Sequence, residues 1–199
     1  MSYARKNNKQ GFTLIEIVIG LAISLILMGV AVSIFNVQRK SYSLQEQVTE
    51  MQQNVRATMD MMVREIRMAG YDPTESGFVG IGTNTTTLLQ ILADLNGNGT
   101  TTGINEDNED ITYRYYNAND ATYPREIKRK TGTESQSLAE NIDGCNFLYY
   151  DGNGIATTTA SSIRQIRITV TGMTDKPDPN FGFSYGTLTS LVTPKNLGY

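Results

Sequence analysis

From Phe12 to Phe35 the chain runs apolar, FTLIEIVIGLAISLILMGVAVSIF; these 24 residues hold no Lys, Arg, Asp or Asn and a single acid, Glu16. At 1.5 Å per residue a helix of that length reaches roughly 36 Å, against a hydrocarbon core of about 30 Å. In lipid a lone segment must satisfy its own backbone hydrogen bonds, so it is predicted to be helical. The pattern then changes without breaking. From Asn36 to Ala69 the apolar residues Leu44, Val48, Met51, Val55, Met59, Met62 and Ile66 recur at steps of three and four, the period of an amphipathic helix. Asp60 and Arg64 add an i,i+4 pair. Gly70 and the following Tyr71-Asp72-Pro73 end the helix. One helix over 12–69 is predicted, with a Met-rich stripe packed on a sheet; the heptads are too irregular for a coiled coil.

Beyond Pro73 short β-type runs alternate with turns rich in Gly, Asn, Asp and Thr. Strands are predicted at 86–92, 111–116, 125–130, 145–150, 163–171 and 185–193. The clearest is 163–171, with Ile166, Ile168 and Val170 on one face and Arg167 and Thr169 on the other. ITYRYY and REIKRK, joined by NANDATYP, read as a hairpin. The basic run 125–130 reads as a charged edge strand, with phosphate binding as its functional alternative. Asp151-Gly-Asn153-Gly reads as a hairpin turn, and TDKPDPNFGF as an exposed, stiff loop. The expected fold class is α+β.

Glu16 is the anomaly in the apolar run. A carboxylate at the centre of a membrane span costs roughly 2.5–3.5 kcal/mol, less toward an end, and calls for a partner. A cut between Gly11 and Phe12 would supply one, because Phe12 would then carry an α-amine four residues before Glu16, one turn away on the same face. The pairing can be made within one chain or between neighbours. Without the cut, the segment reads as a plain signal anchor with a snorkelling acid. Gly20/Ser24 and Gly29/Ser33 form small-xxx-small pairs, which allow close helix approach and are also ordinary membrane-helix composition.

A short basic leader ending in Gly, then FTLIE, then an unbroken apolar run resembles the class III signal of type IV prepilins and type II secretion pseudopilins. That resemblance implies a leader, residues 1–11, removed after Gly11 by a prepilin peptidase that also N-methylates Phe12, and it makes Glu16 the acid used in assembly. It implies a pilin-like fold: 12–35 in the membrane or filament core, 36–70 as the amphipathic continuation, and 71–199 as a β-rich domain outside the inner membrane. NVRATMDMMVREIRMAGYDP is similar to the PilW group of minor pilins and the related J-type pseudopilins. The implied partners are other pilins or pseudopilins, the prepilin peptidase and an inner-membrane assembly platform. After assembly such a subunit lies in a pilus at the cell surface. The chain departs from many major pilins in lacking a Pro within the apolar run and a C-terminal disulfide.

Composition narrows the chemistry. The formal charge is −3, and removing the leader with Arg5, Lys6 and Lys9 takes it to −6, which argues against nucleic acid as an obligatory ligand. Cys145 is the only cysteine, and histidine is absent. No nucleophile–base pairing, Walker A or dinucleotide motif is present, so no enzymatic activity is expected. Asp94-Leu-Asn96-Gly-Asn98-Gly matches the first half of an EF-hand loop, although Asn105 stands where the bidentate Glu belongs. Two readings stay open: a solvated acidic turn, or a Ca²⁺ loop using Asp94, Asn96, Asn98 and Asp107. No cofactor is required. The function expected is that of a minor pilin supporting pilus initiation. A type II secretion pseudopilin and a membrane-anchored adhesion module that never polymerises are the alternatives.

Overall fold

The computed structural model describes residues 11–102 and 108–198. Helix α1 runs Leu14–Met68, 55 residues, one residue short of the predicted end. The molecule divides into two compact units, the first ending at Gln45 and the second being Glu46–Tyr199.

In the first unit α1 is exposed throughout the apolar run, from Phe12 at 86% to Phe35 at 59%. It is long and apolar enough to cross a membrane. An exposed face of this size in a soluble chain would drive association, so lipid or other apolar helices must cover it.

In the second unit the predicted stripe is half-buried at Val48 and buried beyond it, with Met51, Val55, Met59, Met62 and Ile66 at or below 6% exposure. Burying a side chain such as Met62 or Ile66 contributes about 1.5–3 kcal/mol. Gly70 ends the helix in the left-handed region, φ +77°, a conformation that a side chain makes costly. The carbonyls at the helix end are taken up partly nearby and partly by a distant segment. Met68 O accepts from the Tyr71 amide at 3.0 Å, with the Asn196 carboxamide at 3.5 Å as a second donor, and Arg67 O accepts from the Lys195 amide at 3.3 Å. Leu197 packs against Gly70.

The stripe faces two antiparallel sheets. The first is a meander of β1 (Ile81–Asn84), β2 (Leu88–Leu92), β3 (Asp110–Tyr116), β4 (Glu126–Thr131) and β5 (Glu134–Ala139), in that order. The second is β6 (Ile142–Tyr150), β7 (Gln165–Met173) and β8 (Tyr185–Val192). Alternation puts Leu89, Ile91, Ile111, Tyr113 and Ile127 of the first sheet into the core. From the second come Cys145, Phe147 and Tyr149, paired across the ladder with Val170, Ile168 and Ile166. The sheets are tied where the Phe147 amide donates to Thr86 O at 2.8 Å and the Ile142 amide to Arg125 O at 2.9 Å. The fold is α+β and pilin-like: one long N-terminal helix with antiparallel sheets.

The six predicted strands all form, and the ITYRYY–REIKRK hairpin is the β3–β4 pair, Tyr113 opposite Arg129. Asp151 makes the expected turn, its Oδ1 accepting from the amides of Asn153 at 2.9 Å and Ile155 at 2.8 Å. One strand sits elsewhere than its charge suggested. β4 is interior, between β3 and β5, and the edge is the polar strand ESQSLA. The charge is tolerated because Arg129 turns inward to a carboxylate on α1 while Lys128 and Lys130 keep to the outer face. The Asp60–Arg64 pair is not among the ion pairs of the described residues; Glu65 is the helix acid that is paired.

Candidate functional site

Gly11, Phe12 and Thr13 are exposed and outside the helix, which begins at Leu14. The peptide between Gly11 and Phe12 thus lies in non-helical, solvent-accessible backbone, the state a peptidase needs. Three residues on, Glu16 turns back. Its Oε2 accepts from the Thr13 amide and from Thr13 Oγ1, both at 2.9 Å, while the Glu16 amide donates to Thr13 Oγ1 at 3.3 Å. This is a capping box: Thr and Glu satisfy each other's orphan donors, with negative charge at the positive end of the helix dipole. The T-x-x-E spacing before an apolar run was a readable sign of it. So the acid already has donors from its own chain before any cut is made. The two small-residue pairs are also engaged locally, Ser24 Oγ donating to Gly20 O at 2.7 Å and Ser33 Oγ to Gly29 O at 3.0 Å.

The loop after β2 brings Asp94, Asn96 and Asn98 together; Asp107 lies outside the described residues. Asp94 is fully buried. Its Oδ1 accepts from the amides of Gly97 at 2.7 Å and Asn98 at 3.2 Å, and its Oδ2 from the Gly99 amide at 2.9 Å and Thr74 Oγ1 at 3.2 Å. Asn96 Oδ1 accepts from the Asn98 amide at 2.9 Å, and Asn98 Oδ1 from the Thr100 amide at 2.8 Å. Burial alone would raise the Asp94 pKa, but the amides of Gly99, Gly97 and Asn98 together hold it below the usual carboxylate range. The single Thr74 hydroxyl proton is shared between Asp94 and Asp72, whose Oδ1 lies 3.1 Å away. Asp72 accepts from the amides of Gly77 at 2.8 Å and Ser76 at 3.1 Å, and these, led by Gly77, lower its pKa too. Asp72, Thr74 and Asp94 thus clasp the segment after α1 to the loop after β2. Among the described residues no group of three His, Cys, Asp or Glu side chains is placed to hold a metal ion.

A third cluster lies where α1 meets the first sheet. Arg129 Nε donates to both carboxylate oxygens of Glu65, at 3.1 and 3.2 Å, and the Tyr113 hydroxyl donates to the same carboxylate. Arg129 also reaches Asn108 Oδ1 at 2.8 Å. Burial first, then the Glu65 charge, pushes the Tyr113 phenol well above its ordinary value. With Tyr113 fully buried, the group fixes helix to sheet. Cys145 is packed in the core, and burial pushes its thiol up to about 12, leaving no thiolate at neutral pH.

Comparison with known families gives two matches. Residues 6–32 match the prokaryotic N-terminal methylation motif, which brackets Gly11, Phe12 and Glu16. Residues 44–185, well over half the chain, match prepilin peptidase-dependent protein B. A search of curated proteins finds no individual relative. With the motif at its head and the family match across its body, this chain belongs to the prepilin peptidase-dependent protein B family of pilin-like proteins.

Proposed function

We propose that the chain is a minor pilin subunit of a type IV pilus, a structural protein that supports pilus initiation and assembly. In this reading residues 1–11 are a cytoplasmic leader removed between Gly11 and Phe12, and Phe12 is N-methylated. Residues 12–35 span the inner membrane and later enter the filament core, 36–70 continue the helix, and 71–199 form the extracytoplasmic domain. Glu16 pairs with the amine of a processed Phe12, its own or a neighbour's, as subunits are added at an inner-membrane assembly platform. The reading calls for no cofactor.

The observation that carries it is the pairing of an exposed, non-helical Gly11–Phe12 bond with an apolar helix of unburied side chains, under a matching methylation motif. Glu16 caps the helix through Thr13 in the uncut chain, and the same carboxylate stands one turn from the amine that a cut would create. The same features serve a type II secretion pseudopilin, whose filament would push exoproteins outward.

The test is the mature N-terminus together with Glu16→Ala. Mass spectrometry of assembled filaments is expected to find a chain beginning at methylated Phe12. The alanine variant is expected to enter the membrane and be processed, yet to be lost from sheared filaments. Retention of the leader, or normal incorporation without the acid, overturns the proposal. Recovery with a secreted enzyme instead of sheared pili assigns the subunit to secretion.

A further inference from the structure

On the outer face of the first sheet Arg114 of β3 stands directly opposite Lys128 of β4, and Lys130 follows two residues along, opposite Thr112. Like charges set directly opposite destabilise a ladder. Here the arrangement is maintained by aromatic rings: Arg114 lies over Tyr116 at 5.4 Å, Lys128 over Tyr123 at 3.5 Å, and the two rings pack edge to face at 5.3 Å. The three cations line a shallow depression of about 280 Å³ together with Thr83, Thr112 and Ser135.

Three carboxylates lie around it, each engaged. Glu126 approaches Lys128 at 4.0 Å, Asp110 accepts from Gln90 at 2.8 Å, and Asp120 accepts from the amides of Thr122 and Tyr123 at 2.9 and 2.8 Å. Among the described residues Arg114 and Lys130 form no ion pair within 4.0 Å, and both are exposed. Arg114 is nevertheless near enough to add to the Tyr123 and Thr122 amides in holding the Asp120 carboxyl below its ordinary value.

We propose that this depression binds an acidic glycan, a saccharide chain bearing carboxylate groups. Arg114 and Lys130 meet the carboxylates through charge-assisted hydrogen bonds, and the neighbouring hydroxyls of Thr112 and Ser135 meet sugar hydroxyls. The surroundings disfavour nucleic acid. Base stacking needs open aromatic faces, and those of Tyr116 and Tyr123 already hold cations. A duplex carries about one charge per 1.7 Å of its axis on two strands, a density that would press phosphates onto Asp110, Asp120 and Glu126, whereas a saccharide chain spaces a single row of carboxylates by a full sugar ring. Spaced carboxylates on a hydroxyl-rich chain fit a small cationic patch with an acidic border. The proposal stands apart from the assembly reading, and the failure of either leaves the other intact.

The test uses the full chain in a neutral detergent, titrated with sodium polygalacturonate, with dextran and a short DNA duplex as comparisons. Polygalacturonate is expected to bind and dextran not, with binding weakening as salt screens the charges. Arg114→Gln and Lys130→Gln are each expected to weaken binding about tenfold, the loss of one charge-assisted contact, with unchanged circular dichroism. Arg114→Lys should keep most of it. Absence of polygalacturonate binding, equal binding of dextran, indifference to both Gln variants, or DNA binding as tight as the glycan overturns the proposal.

Discussion

Gly172 and Gly186 face each other across β7 and β8, directly beneath Met51 of the helix. A methyl group on Gly172 would meet Val55 Cγ2 at 2.5 Å and Met51 Cγ at 3.0 Å; on Gly186 it would meet only the flexible end of Met51, Cε at 2.9 Å. The pair opens the seat on which α1 lies against the second sheet.

The two positions should therefore respond unequally to alanine. Val55 is β-branched and stiff, so Gly172→Ala is expected to overpack the seat and cost about 1–3 kcal/mol. Gly186→Ala should cost less, because the Met51 methyl can swing aside. Chemical denaturation of the two variants, side by side, measures the difference.

Arg129 and Glu65 are both largely buried, with side chains 10% and 13% exposed. Arg129→Ala strands the carboxylate in the core and is expected to cost about 3–5 kcal/mol. Replacing both partners by Met should recover part of that loss, since no charge is then left unpaired although the buried Tyr113 hydroxyl loses its acceptor. Equal destabilisation of the single and double variants by urea would show that packing, not charge, holds the helix here.

The clasp of Asp72 and Asp94 predicts acid sensitivity. Both carboxyls have folded pKa values below the ordinary ones. Their contribution is complete above the unfolded value, about 3.9, and is lost as pH falls through the lower folded values. Melting temperature should be level near neutrality and drop below about pH 4, with a smaller drop in Asp94→Asn.

Asp94 already accepts four hydrogen bonds within the fold. A cation at this carboxylate would have to displace some of them. Added Ca²⁺ is accordingly expected to leave the melting temperature unchanged. A rise that Asp94→Asn abolishes would establish a calcium loop.

Cys145, with its thiol near 12 and its side chain in the core, should resist thiol reagents at pH 7–8 and react fully once denatured. Rapid labelling of the folded chain would show that β6 opens locally.

Much of this was legible in the sequence because it is periodic. The stripe from Met51 to Ile66 is buried where its 3.6 spacing put it, and Ile166, Ile168 and Val170 line the core as their alternation required. β1 and β5 escaped notice, since IGTN and ESQSLA have no apolar alternation and form through pairing with neighbouring strands. Nothing local signals that Arg129 belongs to Glu65, 64 residues earlier. The run REIKRK looks like an edge until its partners on both sides are known. At the candidate site the Thr13–Glu16 cap is local, T-x-x-E before an apolar run, and so legible in the sequence.

The closure of the helix end has a consequence for biogenesis. Arg67 O finds its donor in the Lys195 amide, 128 residues later in the chain. Ribosomes add roughly 5–20 residues per second, so the last turn of α1 waits roughly 6–26 seconds before the segment that completes it has even been made. Both sheets that cover the stripe, Ile81 to Val192, precede that segment in the chain, so closure of the helix end comes after everything the helix packs on has been made.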